Sequence, residues 1–145
     1  YKDKESINNM LTAGPIWDFN HGFGNCDYYK AWETDGWNIS YTYEDMDQRA
    51  FWWLKLWNDD NFKEMVKDRY KVLRRSILST TNINTKVDQY VSELGNSVNK
   101  NFTKWPILGE YIWPNKEVFD TYQEEIIYLK SWINNRLTWM DSELN

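Results

Sequence analysis

The strongest constraint on the fold lies in the last quarter of the chain. Phe119, Tyr122, Ile126, Leu129, Ile133, Leu137 and Met140 step by 3, 4, 3, 4, 4 and 3 residues. This spacing lays an apolar line along one face of a 3.6-residue helix and predicts a single long amphipathic helix. Trp132, Arg136 and Trp139 lie beside the line and widen it. Burying a large apolar side chain is worth about 1.5–3 kcal/mol. A face built from seven of them needs a covering surface from elsewhere in the chain.

Helical periods upstream offer that surface. Met46, Ala50, Trp53, Leu54 and Trp57 share one face, and Phe62, Val66, Tyr70, Leu73 and Ile77 share another. Asn58-Asp59-Asp60 between them supplies an N-cap for the second helix. Ser79-Thr80-Thr81-Asn82 is expected to end it. Asn84 or Thr85 then caps a third helix that carries Val87, Tyr90, Val91, Leu94 and Val98. Asn99 to Asn115 is predicted to be irregular, with Pro106 and Pro114 each biasing the preceding Trp to extended backbone. At the other end, Tyr1 to Lys4 and Met10 to Ala13 predict two short strands around the polar turn 5–9, a hairpin. Residues 20 to 42 show no sustained period and predict a long loop, a type of segment that is usually functional or mobile. The expected fold is α+β and mostly α: a short N-terminal β-hairpin followed by about four helices, in one domain spanning 1–145.

Composition narrows the function classes. Aromatic residues make up 18% of the chain, with ten Trp and ten Tyr. That is too much aromatic mass for a disordered chain, despite a mean hydropathy of -0.81. A net charge of -5 and a pI near 4.9 argue against a nucleic-acid binder, which needs a basic footprint. Lys67, Arg69, Lys71, Arg74 and Arg75 form a local exception, but on a helix they spread over several faces. The single cysteine, Cys26, supplies neither a disulfide framework nor a metal-ligand set. No apolar run approaches the roughly 18 residues of a membrane span.

The chemistry-bearing stretch is Gly14-Pro15-Ile16-Trp17-Asp18-Phe19-Asn20, followed by Phe23-Gly24-Asn25. It sets one acid between two large aromatics and then turns through glycines and asparagines, which free the backbone from ordinary α or β geometry. Two readings stay open on these residues alone. One is a metal or phosphate site. The other is a surface turn whose Asp caps a neighbouring amide.

This stretch resembles the GP[IV]WDFD…FGN signature of the CotH-type kinases, bacterial spore-coat protein kinases and their secreted relatives. Tyr1-Lys2-Asp3-Lys4 and Leu11-Thr12-Ala13 resemble the strand pair that precedes the signature. Trp52-Trp53-Leu54-Lys55-Leu56-Trp57 with Asp60, Phe62 and Arg69-Tyr70 is similar to the family's helical segment. Asn101-Phe102, Trp105-Pro106-Ile107-Leu108-Gly109 and Tyr111-Ile112-Trp113-Pro114-Asn115 resemble a further block that leads into the final helix. The similarity covers essentially the whole chain.

The resemblance implies an atypical protein-kinase-like fold, of which this chain is the C-terminal portion, resembling part of a kinase C-lobe. It implies transfer of the ATP γ-phosphate to a protein Ser or Thr hydroxyl. Asp18 takes the place of the Asp in an Asp-Phe-Gly-type motif, whose carboxylate holds Mg²⁺ against the nucleotide phosphates. Asn20 stands where the family usually shows a second acid. Its amide oxygen is a candidate second ligand that brings no charge. His21 and Asn25 are candidates for the surroundings of such a site. The catalytic Asp, a metal-binding Asn and a phosphate-gripping Lys are implied upstream of Tyr1, so the chain alone is not expected to catalyse transfer. ATP and Mg²⁺ are the implied cofactors, a spore-coat or extracellular protein the implied substrate, and a bacterial spore coat or cell surface the implied location.

Two other classes compete. Asp18 with Glu33 or Asp35 could form a glycosidase acid pair, with Trp17, Trp32 and Trp37 as sugar platforms. Alternatively the chain is a non-catalytic Trp-rich module that binds a protein partner or carbohydrate. For that reading, Trp32, Trp37, Trp105 and Trp113 should form one exposed patch.

Overall fold

A computed structural model describes residues 4, 14, 22–37, 39 and 51–144. These residues are mostly helical, and no strand occurs among them. The expected hairpin and the start of the first predicted helix lie outside the described residues. Five helices follow one another: α1 (Phe51–Trp57), α2 (Asp60–Arg74), α3 (Thr80–Leu94), α4 (Ser97–Lys104) and α5 (Tyr122–Leu144).

Helix boundaries follow local capping chemistry. Asp59 caps α2 as expected, its carboxylate accepting from the Phe62 amide at 2.9 Å. The third helix starts earlier than Asn84 or Thr85. Ser79 is its cap, with its hydroxyl accepting from the Asn82 amide at 3.2 Å, so the polar run 79–82 opens α3 instead of merely ending α2. Gly95, at a φ of 46°, closes α3, and its amide bonds back to the Val91 carbonyl. The chain then turns straight into α4, so Asn99–Lys104 is helical where irregular chain was expected. Pro106 limits α4 by excluding helical geometry from Trp105.

Phe119 falls outside the last helix, which begins at Tyr122. Thr121 and Glu124 form a capping box. The Glu124 carboxylate accepts from the Thr121 amide at 2.9 Å, and the Thr121 hydroxyl accepts from the Glu124 amide at 3.2 Å. Two orphan amide donors are satisfied at that point, so the helix starts there whatever the apolar period does.

Helix α5 is the axis on which the rest is assembled, packing against both α2 and α3. Leu137, on the predicted apolar line, is buried, as are Leu144, Cys26 and Tyr70 of α2. The other residues of the line are half-buried. Polar bonds fix the α2 seam. Tyr70 Oη donates to Asp141 at 2.7 Å, and Arg74 Nε donates to the same carboxylate at 2.9 Å. The remaining Arg74 nitrogens donate to the Leu78 carbonyl and the Thr80 hydroxyl, tying in the α2–α3 turn. Burial, followed by the Asp141 carboxylate, pushes the Tyr70 hydroxyl up to about 12. On the α3 side, Lys130 pairs with Asp88, and Asn84 Nδ2 donates to Asn134 at 3.4 Å.

Candidate functional site

Asp18, Asn20, His21 and Trp17 lie outside the described residues. Beyond Gly14, the described part of the signature region resumes at Gly22 and runs as a loop to Trp37. This loop lies along α5 and is held there mainly through its backbone. Tyr128 Oη donates to the Gly24 carbonyl at 3.2 Å. One turn on, Trp132 Nε1 donates to the Trp32 carbonyl at 2.8 Å. A further turn on, Arg136 donates to the carbonyls of Thr34 at 3.1 Å and Gly36 at 2.7 Å. Residues four apart share a helix face, so the three donors form one line.

Packing reinforces this line. The Phe23 ring meets Trp132 edge-on at 5.9 Å, and the Arg136 guanidinium sits over the rings of Trp37 and Trp139 at 5.3 and 4.6 Å. Trp37 also packs against Trp57 of α1 at 5.2 Å. Gly24 is buried at a φ of 81°. A Cβ there would sit 2.7 Å from Trp132 Nε1, 2.9 Å from Tyr128 Oη, and closer still to Trp132 Cδ1. Both the left-handed backbone and the close approach require glycine.

The block around Trp105–Asn115 closes on the same loop. The Asp27 amide donates to the Pro114 carbonyl at 2.9 Å, and Tyr111 Oη donates to the Asp27 carboxylate at 2.6 Å. Tyr28 stacks on Trp113 with ring centres 6.2 Å apart. The Trp113–Pro114 peptide is cis. Cys26, next to Asp27 in the chain, is buried, at 1% exposure. An open cleft of about 270 Å³ lies alongside, with Asn25 from the signature, Ile107 and Asn115 from the second block, and Phe119 and Glu125 near the start of α5 on its walls. Burial raises the Glu125 carboxyl. Burial also raises the Tyr128 hydroxyl, assisted by the negative charges of Glu117 and Glu125. Among the described residues no group of three or more His, Cys, Asp or Glu is placed to hold a metal ion.

The acid pair of the glycosidase reading needs Asp18, which lies outside the described residues, so only its other members are placed. Glu33 pairs with Lys30 at 3.3 Å. The Trp32 ring lies under the Lys116 ammonium at 4.5 Å, and Trp37 is packed among Trp57, Trp139 and Arg136. The four tryptophans of the binding-module reading do not share one exposed patch. Trp113 is 70% and Trp105 56% exposed, but Trp32 and Trp37 are half-buried.

The loop was located by its glycines and its missing period, yet its anchors were not. Tyr128 and Arg136 sit on a face that looks like ordinary helix surface. Only a basic residue between two tryptophans at helical spacing (132, 136, 139) distinguishes it.

The described residues thus form a helical body with the end of the signature and the loop after it bound along α5. The family model described as CotH kinase protein matches residues 2–140. The chain belongs to the CotH kinase protein family. No curated protein and no solved structure matches it. No described helix is long and apolar enough to cross a membrane.

Proposed function

We propose that this chain is the C-terminal portion of a CotH kinase domain that transfers the ATP γ-phosphate to Ser or Thr hydroxyls of a protein substrate. Membership of the family over residues 2–140 is the observation that carries this reading. Asp18 is the proposed metal ligand, with Asn20 as a second oxygen donor. Carboxylate and amide oxygens are hard donors, an all-oxygen set suited to Mg²⁺. Mg²⁺ bound there would neutralise charge on the nucleotide phosphates. In the transfer, a substrate hydroxyl oxygen bonds to the γ-phosphorus, the bond to ADP breaks, and the hydroxyl proton passes to a carboxylate base. That base, and the lysine that grips the phosphates, belong to the proposal and would precede Tyr1 in the natural protein. A spore-coat or cell-surface protein is the proposed substrate, which would place the reaction on the outside of a bacterial cell or spore.

The test uses the natural full-length protein. Asp18→Ala and Asp18→Asn should each abolish Mg²⁺-dependent autophosphorylation while leaving the far-UV circular dichroism spectrum intact. A folded Asp18→Ala protein that still labels from γ-labelled ATP at the wild-type rate rules the assignment out.

A further inference from the structure

Tyr128, Trp132 and Arg136 have one feature in common that side-chain packing does not explain. All three spend their donors on main-chain carbonyls, and all on the same loop. A helix face that recognises carbonyls selects a backbone path, independent of the loop's side chains. That path is one the loop would not choose by itself. Tyr29 and Lys30 are consecutive non-glycine residues at φ 49° and 58°. Such conformations cost energy and persist only where the surroundings over-determine them. Gly24 shows the same fit from the other side, since a single added carbon would collide with Trp132 and Tyr128. The anchored loop continues in sequence from the segment that carries Asp18, with Gly24 six residues beyond it.

We propose that Tyr128, Trp132 and Arg136 are positioning residues for phosphoryl transfer, acting by fixing the backbone of the described signature end, Phe23-Gly24-Asn25, and of the loop that follows it. The inference rests on the proposed function above. Misplacing a reacting group by about 1 Å can cost a hundredfold in rate. Loosening the anchor should therefore affect turnover more than it affects the fold.

Trp132→Phe keeps an aromatic ring on the Phe23 side, removes the N–H donor to Trp32 and shortens the side chain. In the natural full-length protein it should speed hydrogen–deuterium exchange of amides in 24–36 and leave α2 and α3 protected. Turnover at saturating Mg-ATP should fall by about ten- to a hundredfold, with the KM for protein substrate unchanged. Wild-type turnover despite faster exchange overturns the proposal, as does a loss of turnover no larger than the loss of folded protein. If Trp132→Phe does not fold, Tyr128→Phe removes a single hydroxyl from the same line and is judged by the same readouts. Asp18→Ala run in parallel separates the two levels. If Asp18→Ala remains active the proposed function itself fails, whereas an inactive Asp18→Ala beside a fully active Trp132→Phe refutes the positioning role alone.

Discussion

Helix α5 holds its neighbours in two different ways. Near its C-terminus, Asp141 meets Tyr70 and Arg74 of α2, side chain to side chain, with charge-assisted bonds of 2.7 and 2.9 Å. Around its middle, Tyr128, Trp132 and Arg136 reach main-chain carbonyls of a loop that has no regular structure. The first seam joins two helices that are each internally hydrogen-bonded. The second supplies donors to carbonyls that no helix or sheet provides for. A helix–helix seam can tolerate a small shift, because its partners carry their backbone bonds with them. A loop seam cannot, since its conformation is the contact. Glycine is accordingly obligatory at Gly24 in the loop seam, and no position of the α2 seam makes a comparable demand.

Substitutions can break this contrast. Gly24→Ala adds a carbon where Trp132 and Tyr128 already stand, at a left-handed φ. Urea unfolding should show a loss of about 3 kcal/mol, since overpacking and backbone strain each cost roughly 1–3 kcal/mol. A loss under about 0.5 kcal/mol would mean that the loop can step away from α5, and the contrast would be gone. Asp141→Ala leaves Arg74 and Tyr70 without their shared acceptor, and should cost about 2 kcal/mol by the same measurement. Tyr128→Phe removes one neutral hydrogen bond from the loop seam and should cost about 1 kcal/mol. If that order is reversed, the loop seam is the stronger of the two.

The smallest expected effect is in pH dependence. The Arg74 guanidinium holds the Asp141 carboxyl below its ordinary value. Its contribution is present above the unfolded carboxylate pKa and is lost as pH falls through the lower folded value. Burial shifts Glu125 the opposite way, so its contribution is present below the ordinary glutamate value and is lost as pH rises through the higher folded one. Asp141→Asn should therefore flatten the acid limb of a stability–pH curve. Glu125→Gln should flatten the mild-acid region above it and stabilise the protein slightly at neutral pH. Thermal melts at one-unit intervals between pH 3 and 7 distinguish the two.

The α2 seam was partly visible in the sequence. Tyr70 lies on the predicted apolar face of its helix, and Leu137, which closes over it, lies on the predicted line of α5. Asp141 was not visible, because an acid near the end of a polar stretch gives no sign of a partner 67 residues away. Starts of helices were read well where a short polar run interrupts the period, as at 58–60, within which Asp59 is the cap. They were misread where several polar residues compete, as at 79–85, because a run of Ser, Thr and Asn offers several equivalent caps and only packing selects one. The candidate site divides similarly. Its signature was legible because Gly, Asn and an acid between aromatics form an unusual local pattern. Its supports were not, since donors at 128, 132 and 136 become meaningful only when a carbonyl is brought opposite each.

By itself, then, the sequence determined what is local: the apolar line of the last helix, a cap within Asn58-Asp59-Asp60, the aperiodic glycine-bearing loop and the signature blocks that mark the family. Tertiary structure decided which face of α5 receives the loop, that Cys26 is enclosed, that Arg74 and Tyr70 share one carboxylate, and that the second tryptophan block closes on Asp27. The reason is physical. Helix periods and caps are set by neighbours three or four residues apart, whereas a hydrogen bond to a distant carbonyl depends on where the backbone has been carried by everything between.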